Sequence, residues 1–390
     1  MVKKIAILGS TGSIGTNALR VIDALGSDYH VSALSAHSSV ELLAQQARKY
    51  KPDFVAVTNP DFAEELAKLI GDLDIEILSG PHGLIEIAKL DEIDIVLAAI
   101  VGSAGLPALL AAAENGKKLA IANKEPLVIA GQILLEKTKQ NGGSIIPVDS
   151  EHSAIFQAMQ SGKREEVNKI ILTASGGPFR QFSSDDIENA TLEQALAHPV
   201  WDMGPKITVD SATMMNKAFE IIEARWLFDM PVEKLDVLIH PESIIHSLVE
   251  FVDGSIIAQL GQPDMCLPIQ YALTYPDRVP GIARRLRLDE IGSLTFHKPN
   301  LELFRALRLG FEVARTGGTS AVVFNAANEA AVEQFLAGRI KFIQIVELIE
   351  LCLNKHSNKS SVSLEELLDA DIWARKQVKN YLQSGNKSIM

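Results

Sequence analysis

Cysteine is almost missing from this chain of 390 residues, which has only Cys266 and Cys352. Two cysteines cannot form a disulfide framework, and so low a count fits a reducing compartment. Aromatic residues are sparse at 6%, and no stretch approaches the roughly 18 unbroken apolar residues of a membrane span. Positive charge is in deficit: 37 Lys and Arg face 49 Asp and Glu, a formal net charge of −12. That balance argues against a nucleic-acid binder and restricts phosphorylated ligands to local clusters of donors. The first strand begins at Lys3, leaving no room for a leader, so the expected location is cytoplasmic; a processed organellar protein would look the same.

What is present is a globular composition, 47% hydrophobic and 22% charged, in a chain long enough for two or three domains. Short β-rich apolar runs at 5–8, 31–34, 54–57, 75–78, 95–100, 119–122 and 145–148 alternate with segments of helical spacing such as 40–49 and 62–70. Continuous apolar strands separated by helices imply a parallel sheet covered on both faces, a doubly wound α/β domain over residues 1–149. A catalytic or connective α+β domain is expected over 150–275. It has a strand at 169–172, an irregular lid at about 176–206, and a hairpin whose strands flank Asp253-Gly254. Within the lid, Thr191 and Gln194 form a capping-box pattern. Residues 276–300 read as a linker, with Arg284, Arg285 and Arg287 on a solvated face. Residues 301–390 carry four helical stretches, 301–314, 320–336, 340–353 and 364–381, expected to form a small bundle.

Two regions carry chemistry. Gly9, Gly12 and Gly15 follow the first strand and open the first helix, where close backbone approach and a helix N-terminus suit a pyrophosphate. After the second strand come Ser35, Ala36, His37, Ser38 and Ser39, with no carboxylate before Glu41 to hold a free ribose hydroxyl. NADP is therefore favoured over NAD. Beyond the last strand, Asp149 and Glu151 point the same way if the chain is extended, and two hard oxygen donors suit Mg²⁺ or Mn²⁺. Further on, Met215, Ala218, Phe219, Ile222 and Trp226 form the apolar face of a helix. Asn216 and Glu220 lie i, i+4 on its flank, beside Lys217. With Ser211 near the helix start, Ser, Asn and Lys would grip a phosphate while Glu220 supplies a third carboxylate. The bland alternative for each segment, a solvated turn or a helix with an exposed Lys–Glu edge, stays open on these residues alone.

The strings GSTGSIG, ANKE, PVDSEHSAIFQ, LTASGGPFR, HPVWDMGPKITVDSATMMNKAFE, EARWLF, HPESIIHS and AQLGQPDM occur in this order. Together they resemble the 1-deoxy-D-xylulose 5-phosphate reductoisomerase family from about residue 3 to 335, and NAANEAAVEQFL extends the resemblance into the terminal helices. It implies a homodimeric enzyme using NADPH and a divalent ion (Mg²⁺, Mn²⁺ or another such as Co²⁺), with metal ligands Asp149, Glu151 and Glu220. Ser150 would lie at the metal site and contact substrate. Ser175, Ser211, Asn216 and Lys217 match the phosphate pocket, and His198 matches a lid residue closing over substrate. Trp201 and Met203 match the lid's apolar cover, and His246 a further histidine lining the site. Lys124, Glu151 and His198 would do the catalytic work. Cofactor contacts carried over are Gly9, Ser10, Thr11, Gly12, Ser13, Ile14, Ala36, His37, Ser38, Ala99, Asn123, Lys124, Glu125, Gly204 and Met265. The chain departs from the family pattern at Ala36-His37-Ser38, Pro126, Ala174 and Cys266, none of them a proposed metal ligand.

Two rival readings make different demands. A semialdehyde dehydrogenase shares the domain order but needs an activated cysteine. A silent NADP-binding sensor or scaffold would not need Lys124 and three carboxylates together.

Overall fold

The computed structural model describes residues 2–201, 203–360 and 362–383; Asp202, within the expected lid, lies outside them. In chain order the elements are β1 (Lys3–Leu8), α1 (Ser13–Leu25), β2 (Tyr29–Ala36), α2 (Val40–Tyr50), β3 (Phe54–Val57), α3 (Ala63–Ile70), β4 (Glu76–Ser79), α4 (Gly80–Lys89), β5 (Ile95–Ala98), α5 (Leu106–Glu114), β6 (Lys118–Ile121), α6 (Glu125–Gln140), β7 (Ser144–Pro147) and α7 (Ser150–Ala158). They continue with β8 (Val167–Ala174), α8 (Ser184–Glu188), α9 (Leu192–Leu196), α10 (Pro205–Ala212), α11 (Met215–Leu227), β9 (Leu235–Ile239), β10 (Ile245–Phe251), β11 (Ile256–Leu260), α12 (Cys266–Thr274), α13 (Leu288–Ile291), α14 (Arg305–Thr316), α15 (Ser320–Leu336), α16 (Phe342–Lys355) and α17 (Leu364–Gln383). None of the described helices is long and apolar enough to cross a membrane.

The chain divides into two compact units. The first holds Met1–Pro126, Gln132–Phe156 and Asp264–Arg285. Its sheet has seven strands in the order β4-β3-β2-β1-β5-β6-β7, every neighbouring pair parallel. Except at the edge strand β4, which is exposed or half-buried throughout, the expected runs became strands because their side chains are buried: Ile5, Ile7, Leu34, Val55 and Leu97 are fully enclosed. Each contributes about 1.5–3 kcal/mol by leaving water. Strand order reverses between β1 and β5, opening the crevice where doubly wound folds bind ligands. Helix α12 returns to this unit: Cys266, Ile269, Ala272 and Leu273 join the same core. Its end is tied to β6 by Lys118, whose ammonium donates to the carbonyls of Leu273 (3.2 Å) and Tyr275 (3.1 Å).

The second unit holds Leu127–Gly131, Gln157–Pro263 and Leu286–Met390. The short stretch of α6 belongs here because Gly131 lies flat on Trp226; a Cβ on Gly131 would meet the indole at 2.5 Å. The sheet order is β11-β10-β8-β9. Strand β10 runs antiparallel to β8 and β11, and β9 runs parallel to β8. The Asp253-Gly254 turn closes the β10–β11 hairpin as expected, with Gly254 at φ +84 and the Ser255 amide donating to Asp253 (3.0 Å). The Thr191–Gln194 box caps α9. Helices α14 to α17 share this unit with the sheet. α14 packs so closely on α11 that a Cβ at Gly310 would fall 2.6 Å from the Ala218 Cβ.

Candidate functional site

In the first unit the glycine turn shows what each glycine is for. Gly9 has φ +90, and a Cβ there would strike the Ala99 carbonyl oxygen at 2.7 Å; one at Gly15 would strike the Gly9 oxygen at 2.3 Å. Packing demands both. Gly12 differs: at φ −77, its Cβ would meet nothing nearer than the Gly9 oxygen at 3.6 Å. Its missing side chain leaves the mouth of the turn open, which a pyrophosphate needs. Helix α1 begins there with no side-chain cap and no acid in its first turn, so an anion meets the helix dipole unopposed. The residues present therefore fit a dinucleotide. His37, Ser38 and Ser39 are exposed beyond β2, and the His37 Nδ1 lies 2.8 Å from the Thr58 hydroxyl. Ala99 and Met265 pack against the core of this unit, and the Asn123 amide donates to the Gly102 carbonyl (3.1 Å).

At the C-terminal edge of the same sheet, the turns after β6 and β7 bring Lys124 and Asp149 together. The Lys124 ammonium lies 2.9 Å from the Asp149 carboxylate, with both side chains nearly buried. Burial pushes the Asp149 carboxyl up, but the Lys124 charge and the fully buried His152, 3.8 Å away, override it and hold the group well below the usual carboxylate range. Asp149 is thus an anionic hard-oxygen donor, the form a divalent cation requires. The expected extended conformation does not occur here. The chain is helical from Ser150, since the Ser153 amide donates to the Asp149 carbonyl (2.8 Å) as α7 begins. Glu151 therefore stands in the first turn of α7, its carboxylate accepting from the Ser150 hydroxyl (2.6 Å). His152 was not singled out from the sequence; its i, i+3 spacing from Asp149 was the available signal.

The second unit assembles the phosphate-pocket candidates. Ser211 is not at the start of the long helix but in the last turn of α10; Met214, at φ +62, breaks the chain before α11. That break places Asn216 and Lys217 in the first turn of α11, whose N-terminus lacks a side-chain cap and acids. Gly177 presses on Ser211, as its Cβ would meet the Ser211 carbonyl oxygen at 2.7 Å, so the loop bearing Ser175 lies against the same corner. His198 reaches this loop with its Nε2 3.1 Å from the Ser175 hydroxyl. Its Nδ1 accepts from the amides of Val200 (3.2 Å) and Trp201 (2.9 Å), so the proton sits on Nε2 and is donated to Ser175. Burial, followed by the nearby Arg180, pushes the His198 imidazole below its ordinary value of 6.5. Trp201 and the buried His246 have ring centroids 6.5 Å apart. Glu220 is fully buried, accepts from the Asn216 amide (2.7 Å) and pairs with Lys217. Met203 and Gly204 lead into α10, the Met203 carbonyl accepting from the Thr208 hydroxyl (3.3 Å).

A titration tests the His198 geometry. In the free protein its imidazole is expected to protonate below 6.5 by NMR, because a proton on Nδ1 expels two amide donors. A folded value below the unfolded one means that its contribution to the order of the surrounding loop is present above pH 6.5 and lost as the pH falls toward the folded value. A value at or above 6.5 would contradict the tautomer.

Neither thiol suits nucleophilic chemistry. Cys266 and Cys352 are buried, and burial pushes each up to about 11, with Asp264 adding to the effect at Cys266. The activated cysteine of a semialdehyde dehydrogenase is not here.

Three family profiles match the chain: "1-deoxy-D-xylulose 5-phosphate reductoisomerase" over residues 5–131, its C-terminal domain over 145–228, and "DXP reductoisomerase C-terminal domain" over 260–377. Among curated relatives, 1-deoxy-D-xylulose 5-phosphate reductoisomerase of Shouchella clausii is 51% identical, covering 96% of this chain and 99% of its own. That of Thermodesulfovibrio yellowstonii is 49% identical over 97% of this chain and 98% of its own. A crystal structure of DOX-P reductoisomerase with NADPH, fosmidomycin and magnesium superposes with TM-score 0.94 at 41% identity over the whole of both chains. The Zymomonas mobilis reductoisomerase with NADPH gives 0.93 at 40% identity, covering 98% of this chain and all of that one.

Proposed function

The chain belongs to the 1-deoxy-D-xylulose 5-phosphate reductoisomerase family, and we propose which of its residues carry that family's reaction. The protein is an NADPH-dependent enzyme of isoprenoid precursor biosynthesis. It isomerises and reduces 1-deoxy-D-xylulose 5-phosphate to 2-C-methyl-D-erythritol 4-phosphate with a divalent metal. The observation that carries the residue assignment is the buried Lys124–Asp149 pair at the carboxyl edge of the parallel sheet, where Asp149 is held ionised.

In this reading Asp149, Glu151 and Glu220 hold Mg²⁺ or Mn²⁺, and Ser150 orients Glu151 through its 2.6 Å hydrogen bond. The metal supplies Lewis-acid charge for the substrate's oxygens, and NADPH supplies the hydride. Lys124 donates to a substrate oxygen as negative charge develops on it during carbon–carbon rearrangement. Ser175, Ser211, Asn216 and Lys217 bind the phosphate, remote from the reacting carbons. That binding draws His198, Trp201 and Met203 over the substrate and excludes water, with His246 behind Trp201. Residues 1–149 serve the nucleotide and 150–275 the chemistry, with 176–206 as lid, 276–300 as linker and 301–390 as brace. Gly9 to Ile14, Ala36 to Ser38, Ala99, Asn123, Lys124, Glu125, Gly204 and Met265 line the cofactor. Cytoplasmic location fits the two reduced cysteines. A homodimer fits β11, an edge strand among the described residues whose Ile256 is half exposed.

The test is product identity. Purified protein with NADPH, Mg²⁺ and 1-deoxy-D-xylulose 5-phosphate should form the branched tetritol phosphate in step with NADPH consumed, and far more slowly with NADH. NADPH binding without product would move the chain to the sensor class.

A further inference from the structure

Three polar side chains are sealed behind the glycine turn: Ser10 at 0% exposure, Ser35 at 1% and Gln46 at 6%. Gln46 stands on the inner face of α2, where its buried neighbours Val40, Leu43, Ala44 and Ala47 are all apolar. Its amide nitrogen donates to the Ser10 carbonyl (2.9 Å), and its oxygen accepts from the Ser10 hydroxyl (2.7 Å). The Ser35 carbonyl accepts from the Ser10 amide (2.8 Å) and lies 3.1 Å from the Ser10 hydroxyl; the Ser35 hydroxyl accepts from the Gly9 amide (2.9 Å). A hydroxyl has one proton, and the Gln46 oxygen is the nearer acceptor. Ser10, a cofactor candidate by sequence, therefore turns its side chain inward, and its amide and carbonyl are likewise engaged within the turn.

We propose that Gln46 is a positioning residue for the dinucleotide, an inference that rests on the cofactor reading above. It holds the turn from Gly9 to Gly12 in the one conformation that presents the start of α1 to a pyrophosphate. The position needs a donor and an acceptor side by side, which a carboxamide supplies and neither a carboxylate nor an aliphatic chain does. Helix α2 also starts directly after the loop His37 to Ser39: the Val40 amide donates to the Ser38 carbonyl (2.9 Å) and the Leu43 amide to that of Ser39 (3.0 Å). Gln46 thereby fixes the loop that faces the ribose phosphate relative to the turn that faces the pyrophosphate. If α2 shifts, both anion contacts are misplaced at once.

The experiment measures NADPH affinity by fluorescence titration, alongside steady-state kinetics, on the full chain. Gln46→Met keeps the volume and removes both hydrogen bonds; Gln46→Glu keeps an acceptor and loses the donor. Both should weaken NADPH binding by about tenfold, the effect of one misaligned hydrogen-bond set. The KM for NADPH should rise with it, while kcat at saturating NADPH and the KM for the sugar phosphate stay at wild-type values. General destabilisation would not divide the parameters in that way, and circular dichroism checks that each variant is folded. Variants that bind NADPH within about twofold of wild type, or that lose kcat and sugar-phosphate affinity equally, overturn the inference alone. A wild-type chain that does not bind NADPH overturns it together with the cofactor reading.

Discussion

Glu220→Gln is expected to leave NADPH affinity unchanged and to lower kcat by about 10³-fold at saturating Mg²⁺. The substitution keeps the shape but removes one negative charge, and exchanges one of two accepting oxygens for a donating NH2, in a side chain with no exposed surface. In the proposed site that charge is the third carboxylate on the cation, so metal affinity falls as well. Cofactor affinity should survive because the glycine turn belongs to the other compact unit and makes its bonds with Ser35 and Gln46. Initial rates across a Mg²⁺ series, with NADPH titrated separately, check both halves. A kcat within about tenfold of wild type would remove Glu220 from the metal site.

The second large effect concerns Lys217. It is 4% exposed and paired with Glu220, which is wholly buried. Deleting one partner of a buried pair leaves the other charge uncompensated, so Lys217→Met should cost about 3–5 kcal/mol of stability. Adding Glu220→Gln should restore most of that loss, because no charge is then stranded. Activity should not return in the double variant, since in the proposed site the phosphate has lost its cation and the metal a ligand. Denaturant unfolding of the two single variants and the double variant gives the cycle directly. Additive destabilisation would mean that the two side chains act independently and that the pair is not the unit described.

The first sheet was legible in sequence because its inner strands are enclosed on both faces, and 5–8 and 54–57 read as unbroken apolar runs for that reason; the edge strands β4 and β7 are only partly covered. Turn chemistry was equally readable: Asp253-Gly254 and the Thr191–Gln194 box act through contacts only a few residues apart. The terminal helices were legible too, α15 at its observed bounds. What escaped depends on distant partners. Strand β9 alternates buried and half-buried residues and exists because β8 offers it a parallel edge. The return of α12 to the first unit rests on packing against α1, nearly 250 positions earlier, where the Cys266 thiol lies 3.7 Å from the Asn17 amide oxygen. The break at Met214 has no Gly or Pro to announce it, so Ser211 was read onto the wrong helix. The same limit hid Gln46, an ordinary helical glutamine until Ser10 is found beneath it.

The most direct test of the account is NADPH absorbance during incubation with 1-deoxy-D-xylulose 5-phosphate, with the divalent metal first chelated and then restored. The account predicts no oxidation in chelator, rapid oxidation on adding Mg²⁺ or Mn²⁺, and none when the sugar phosphate is omitted. Oxidation that proceeds undiminished in chelator would contradict the role given to Asp149, Glu151 and Glu220. Tight NADPH binding with no oxidation under any divalent ion would contradict the enzyme itself.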